Sequence, residues 1–474
     1  MAAEVMRLTR SRRRFLQGFA GGLGTIGFWH LLRSDGFASA SEANAVSPKP
    51  AHFEPKARNV IFIFTEGGPS QFDLFDPKPE MKKWDGHSLP ESMTKDLKLA
   101  FIKPTAQVWA SPRPFKRYGQ CGMDFSDWLP HLATCADDIC MIRSAATDQF
   151  NHSTGQLMLN CGTALVGRPS MGAWTVYGLG SESKNLPAYV VLGKATAAGS
   201  GVWSSGFLPS NYGGVPFRDS GDPVLYLSSP PGMSQAAQKA RLDALTDLSN
   251  LDYQETGESE ILSRMASYEL AFRMQAAAPE LMDLSKESTE TLAAYGIGQD
   301  KTKEFGTKCL LARRLVERGV RFVQVISSGW DHHTDLNKRL KENCDSNDQP
   351  TAALLRDLKQ RGLLDSTLVI WGGEFGRTPM VEAHAVDVGS EGRDHHPFAF
   401  TMWMAGGGIK GGQVVGKTDD LGLNVVEDRV HIHDLHSTIL HCLGLDHKKL
   451  TYRYQGRDFR LTDVAGQVIP KLLA

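Results

Sequence analysis

The chain has 474 residues, a net charge of −1 and a hydrophobic content of 41%. That balance argues against a nucleic-acid binder or an acidic tail, and the length suffices for one large domain or two ordinary ones. The 47 glycines point to many tight turns and close backbone approaches.

Residues 11–17 read S-R-R-R-F-L-Q, the twin-arginine export pattern. A weakly apolar, glycine-rich stretch follows from Gly18 to Leu32, then A-x-A sites at Ala38 to Ala40 and Ala43 to Ala45. We read 1–45 as a twin-arginine signal peptide and 46–474 as the folded domain, which predicts a periplasmic or extracellular protein. The apolar run is too short for a membrane span, so no integral span is expected after signal removal. Seven scattered cysteines (121, 135, 140, 161, 309, 344 and 442) form no C-x-x-C pair, which argues against a zinc ribbon or a thioredoxin-like site.

After a proline-containing linker, Asn59 to Phe64 reads as a buried strand running into Gly67-Gly68. Ala188 to Leu192, Val320 to Ile326, Thr367 to Trp371 and Phe398 to Met404 read the same way. Continuous rather than alternating apolar runs predict strands covered on both faces. Between Gly193 and Gly232, glycine, proline, serine and aromatic residues predict loops or a small cap. Tyr253 to Ala278, Glu304 to Arg318, Thr351 to Arg361 and Asp434 to Leu443 read as helices, the last three each followed by glycine. The expected fold is a doubly wound, mostly parallel α/β sheet with helices on both faces.

In such a sheet ligands bind beyond the carboxyl ends of the strands. Three of those ends carry polar clusters: Glu66 to Asp73, Asp331 to Asp335 (D-H-H-T-D), and Glu374 to Thr378. A fourth, G-R-D-H-H-P at 392–397, precedes a strand and could fold over the same edge. Carboxylates and imidazoles converging there would suit Zn, Mn or another divalent ion. Each cluster alone is a weak signal and reads more readily as structure: D-H-H as a turn, Glu374 paired with Arg377, Asp73 and Asp76 as turn or cap residues. The segment N-H-S-T-G from Asn151 reads as a polar cap and helix start, with Ser153 or Thr154 as an ordinary N-cap on the structural reading.

The blocks GGPSQFDLFDPKP, FNHSTGQLMLNCGT, GWDHHTD, LLDSTLVIWGGEFGRTP and GRDHHPFAFTMWMAGGGIKGGQVVGKTD together resemble the exported, planctomycete-type proteins of the domain-of-unknown-function 1501 group. This group is similar to the alkaline-phosphatase-like superfamily, which includes sulfatases. The resemblance implies an alkaline-phosphatase-like fold and a hydrolase site with one or two divalent ions (Zn, Mn or Ca). It places metal ligands at Glu66 (Asp73 or Asp76 as fallback), Asp331, His332 or His333, Glu374, and His395 or His396. The family nucleophile position falls on His152, with Ser153 and Thr154 adjacent, and Arg377 or Arg393 could hold an anion. The chain departs from the superfamily pattern at Glu66, His152 and Phe375, and the sulfatase C-x-P/A-x-R motif is absent. The expected function is a metal-dependent hydrolase of phosphate or sulfate esters, acting on a small anionic ester or a sulfated or phosphorylated glycan. The alternative is a non-catalytic envelope or carbohydrate-associated binding protein that retains the fold. Oxidoreduction is disfavoured, since no haem, iron–sulfur or dinucleotide motif occurs.

Overall fold

The computed structural model describes residues 46–474, other than 96, 98, 195, 219–220, 226, 230–231 and 383–388. The expected export signal lies outside the described residues. The central sheet is built from β1 (Asn59–Thr65), β2 (Ile139–Ala146), β3 (Tyr189–Leu192), β4 (Val215–Phe217), β5 (Phe322–Ser327), β6 (Thr367–Gly372), β9 (Phe400–Ala405), β10 (Gln413–Val415) and β11 (Val430–His431). Between β6 and β9, β7 (Gly376–Val381) and β8 (Arg393–His396) form a separate antiparallel pair. The order across the sheet is β10–β2–β9–β6–β1–β5–β3–β4, with β11 also paired to β2.

Strand β1 lies at the centre, parallel to both β5 and β6. Val60, Phe62 and Phe64 enter one apolar layer, while Ile61 and Ile63 enter the opposite one. Alternate side chains of a strand point to opposite faces, so a strand covered on both sides must be apolar throughout. Among the described residues the helices of eight or more residues are α1 (His152–Cys161), α2 (Met171–Leu179), α3 (Gln235–Thr256), α4 (Ser259–Met282), α5 (Asp300–Glu317), α6 (Leu336–Gln360) and α7 (Ile432–Cys442). Leu159 of α1, Trp174 and Val176 of α2, and Leu435 and Ile439 of α7 share the layer of Phe62 and Phe64. Leu311 and Leu315 of α5 and Leu354 and Leu358 of α6 share the layer of Ile61 and Ile63. Helices therefore cover both faces, as the sequence predicts.

The structure differs from the sequence reading at several places. The Phe398 to Met404 run does form a strand, β9, but it is antiparallel to its neighbours β2 and β6. Strand β2 is missed, because Arg143 and Ser144 interrupt its apolar run. The expected helix from Tyr253 to Ala278 is two helices, α3 and α4, with Gly257 in the left-handed region (φ 70°) ending the first. The stretch from 193 to 232 is not wholly loop or cap, since it contributes β4 to the sheet edge, parallel to β3. No helix among the described residues is long and apolar enough to cross a membrane.

Candidate metal centre

The loops leaving β1, β5 and β6 emerge side by side, because these strands are adjacent and parallel. Antiparallel β9 begins at that same edge, and so delivers β8 and its histidines there. Two bonds stitch the first two loops together: Glu66 N donates to the Ser327 carbonyl at 2.9 Å, and Trp330 N to the Glu66 carbonyl at 3.1 Å. Gly67 (φ 119°) sits in this seam, and a Cβ added to it would run into the Asp331 amide. Glycine is needed here for both backbone conformation and closeness of approach.

Four side chains meet at this edge: His152, Asp331, His333 and His395. Asp331 Oδ2 lies 3.2 Å from His152 Nε2, and Oδ1 lies 2.9 Å from His333 Nε2 and 3.4 Å from His395 Nε2. His333 Nε2 and His395 Nε2 are 3.0 Å apart. Donors around one four-coordinate ion at about 2.05 Å sit roughly 3.3 Å from each other, so the spacings among Asp331, His333 and His395 fit a single ion, and all four donors lie within 4.8 Å of one another. His152 Nε2 is buried and not aligned for a hydrogen bond to any group. The outer nitrogens are all held: His152 Nδ1 by Glu374 Oε1 at 2.8 Å, His395 Nδ1 by the Phe150 carbonyl at 2.7 Å, and His333 Nδ1 by Glu382 Oε2. Anchoring Nδ1 fixes the ring and aims Nε2, the arrangement found around metal-bound histidines.

Glu374 is fully buried and also accepts from Gly67 N at 3.1 and 3.2 Å. Gln156 Nε2 bridges Glu374 Oε1 and Glu66 Oε1, each at 3.2 Å. Glu66 and Glu374 therefore stand behind the cluster instead of in it. A second convergent set, His333, Glu382 and Asp394, has its donors already hydrogen-bonded within the protein. Glu382 holds His333, and Asp394 accepts from the amides of Ala100, Phe101, Ile102 and His395.

Several predicted site residues stand apart. His332 is buried away from the cluster, with both ring nitrogens unpartnered, and burial pushes it down to about 3. His396 turns its Nε2 to the Leu423 carbonyl at 2.8 Å, and burial pushes it down to about 4. Asp73 is held by Ser70, Ser111 and Arg393 at 2.6, 2.5 and 3.0 Å, and Asp76 accepts from Thr418 Oγ1 at 2.7 Å and pairs with Lys78. Neither reaches the centre. Arg393 is fully buried against Asp73, Phe72 and Trp109. Arg377 is fully buried too; it donates to the carbonyls of Gly68 (2.8 Å), Arg393 (2.9 Å) and Gly67, and to Asp331 Oδ1 at 2.6 Å. Both guanidiniums are thus engaged with protein groups. The α1 N-cap is Asn151, whose side chain accepts from Ser153 N. The hydroxyls of Ser153 and Thr154 donate to the carbonyls of Ala197 and Asn151, both at 3.2 Å.

Burial works to lower His152, but its contacts with Asp331 and Glu374 outweigh it and raise it to about 9. Burial likewise opposes ionisation of Asp331, yet His152, His333, His395 and Arg377 hold its carboxyl well below the usual range. His333 is raised by Asp331 and Glu382 against burial, and His395 is lowered by burial with the nearby cations. In the metal-free chain the shifts favour a charged His152 beside an ionised Asp331.

Sequence reasoning missed Glu382 and Gln156. Gln156 carried a signal, since it lies four residues after His152 and shares its helix face. Glu382 carried one too, as another carboxylate at a strand end.

The fold and this centre define a doubly wound α/β protein with a three-histidine, one-carboxylate cluster at its strand-end edge. The chain belongs to the DUF1501 family, proteins of unknown function, which it matches over residues 57–473. No curated protein matches it. Among solved structures it is similar to the lipoteichoic acid synthase LtaP from Listeria monocytogenes, at 11% identity and TM-score 0.35, over 89% of this chain and 79% of that one. A sulfatase from Pseudoalteromonas sp. is 11% identical at TM-score 0.36, over 82% and 68% of the two chains. An alkaline phosphatase from the Antarctic bacterium TAB5 is 11% identical at TM-score 0.31, over 74% and 92%.

Proposed function

We propose that this protein is an exported, metal-dependent hydrolase of phosphate or sulfate esters, with one divalent ion held by His152, His333, His395 and Asp331. The observation that carries the metal reading is the convergence of three Nε2 atoms on Asp331 while every Nδ1 is anchored outward. A donor set of three imidazoles and one carboxylate favours Zn, Mn or Fe over Ca, which prefers oxygen ligands. Such an ion supplies Lewis acidity and lowers the pKa of bound water.

The chain's own residues orient and shield. Glu374 and Glu382 fix two of the rings, Gln156 ties Glu374 to Glu66, and Arg377 holds Asp331 in place. The Ser153 and Thr154 hydroxyls are engaged with backbone carbonyls, which favours solvent water as the nucleophile. His152 serves as a ligand in this reading. The ester chemistry extends the family resemblance, and export rests on the S-R-R-R-F-L-Q segment.

A second reading, a non-catalytic binder that keeps the ion, is favoured by the engagement of both arginines. The test is elemental analysis of protein purified without chelators, against an Asp331→Ala/His333→Ala control, followed by a panel of phosphate and sulfate esters. Stoichiometric metal lost in the control, with metal-dependent hydrolysis, is the expected result. Metal without hydrolysis selects the binder, and equal metal content in both proteins overturns the centre.

A further inference from the structure

The Phe101 ring stands edge-on to two histidines of the centre, with centroids 5.6 Å from His333 and 5.5 Å from His395. It is nevertheless 60% exposed. The backbone beneath it is pinned. The amides of Ala100, Phe101 and Ile102 all donate to one oxygen of Asp394, at 3.2, 2.8 and 3.1 Å. The other Asp394 oxygen accepts from His395 N at 2.8 Å, so one fully buried carboxylate joins this loop to the strand that carries a ligand. Leu99 and Ile102 anchor the loop from below, against a small apolar cluster that includes Phe72, Met81 and Met380. A scattered apolar side chain on a surface needs no explanation. A ring held by a buried carboxylate beside a candidate metal centre is a different case, because the fixing brings the ring itself little burial.

The charge pattern narrows what such a ring would meet. Arg377 and Arg393 are buried and engaged with carbonyls and carboxylates. A ligand at the centre therefore gains nothing from a guanidinium clamp, and its affinity comes from the ion at one end and apolar contact at the other. Phe150 is also exposed, at 42%, and its backbone carbonyl holds His395 Nδ1, which ties this segment to the centre.

We infer that Phe101 is a substrate platform that packs against an aryl ring carried next to the ester, so that the site selects aryl over alkyl esters. This rests on the metal-centre reading above. The experiment is calorimetric titration of the zinc-loaded protein with phenylphosphonate and with methylphosphonate, which are not hydrolysed. It is repeated on Phe101→Ala and Phe101→Trp, with zinc content measured in each. Phenylphosphonate is expected to bind about tenfold tighter, from aromatic contact plus burial. That preference disappears in Phe101→Ala and persists in Phe101→Trp, with zinc unchanged. Equal affinities, a preference that survives Phe101→Ala, or no binding of either probe overturns the inference. Aryl preference without hydrolysis of any ester sinks the hydrolase reading and leaves this one standing. Ester hydrolysis without aryl preference does the reverse.

Discussion

Replacing Arg377 with methionine tests whether this side chain is the clamp that holds the strand-end loops together. Its guanidinium is fully buried and serves the Gly67, Gly68 and Arg393 carbonyls and the Asp331 carboxylate. Methionine fills similar space but donates nothing, which leaves three carbonyls without this donor. Each buried acceptor left unmade costs about 1–3 kcal/mol. Asp331, with its side chain 39% exposed, takes water on its open side and relieves part of that loss. Loss of about 3–5 kcal/mol is expected, the range for breaking a buried charged contact. With an unfolding entropy of about 2.1 cal/mol/K per residue, a domain of roughly 430 residues has about 0.9 kcal/mol/K, so the melting temperature should fall by about 3–6 °C. Arg377→Lys should fall between the two, because an ammonium keeps the charge but cannot span three carbonyls and a carboxylate. Calorimetry on the metal-free proteins reads this directly. A drop below about 1 °C for Arg377→Met would refute the clamp.

Two further outcomes are expected. Glu374→Gln weakens the hold on His152 Nδ1 and should lower zinc affinity about 10–100-fold in chelator competition; unchanged affinity would remove Glu374 from the support of the centre. His436, with Nε2 on the Leu159 carbonyl at 2.7 Å, is pushed down by burial from 6.5 to about 3. The unfolded chain takes up this proton between those values, so the contribution is full above 6.5 and lost as pH falls toward 3. His436→Gln should therefore flatten the acid limb of melting temperature against pH by about one proton. Superimposable acid limbs in the two proteins would count against the assignment.

The strands around the centre were legible because β1, β5 and β6 are buried on both faces and so carry unbroken apolar runs. Their order was not, since nothing local to Phe400–Ala405 marks it as the reversed strand. The doublets show where sequence reasoning stops. His395 and His396 are neighbours in a strand, so they point to opposite sides, and one reaches the centre while the other meets Leu423. Read as a loop, R-D-H-H leaves that choice open. His332 and His333 lie outside any helix or strand, and their division is set by the contacts of His333 with Glu382 and His395, which are distant in sequence. The surroundings of the arginines were illegible for a related reason: sequence shows a cation but not the carbonyls and carboxylates around it.

The reversed course of β9 has a consequence for how the protein is made. The four converging side chains come from positions 152, 331, 333 and 395, and only the middle two are near each other along the chain. No short fragment of the nascent polypeptide can gather them, since the last arrives only when β8 leads into β9 between β2 and β6. An ion captured here would be a latch closed late, after the long-range pairings are in place. Its binding energy would then stabilise the finished sheet as a whole, making resistance to unfolding rise with free metal concentration.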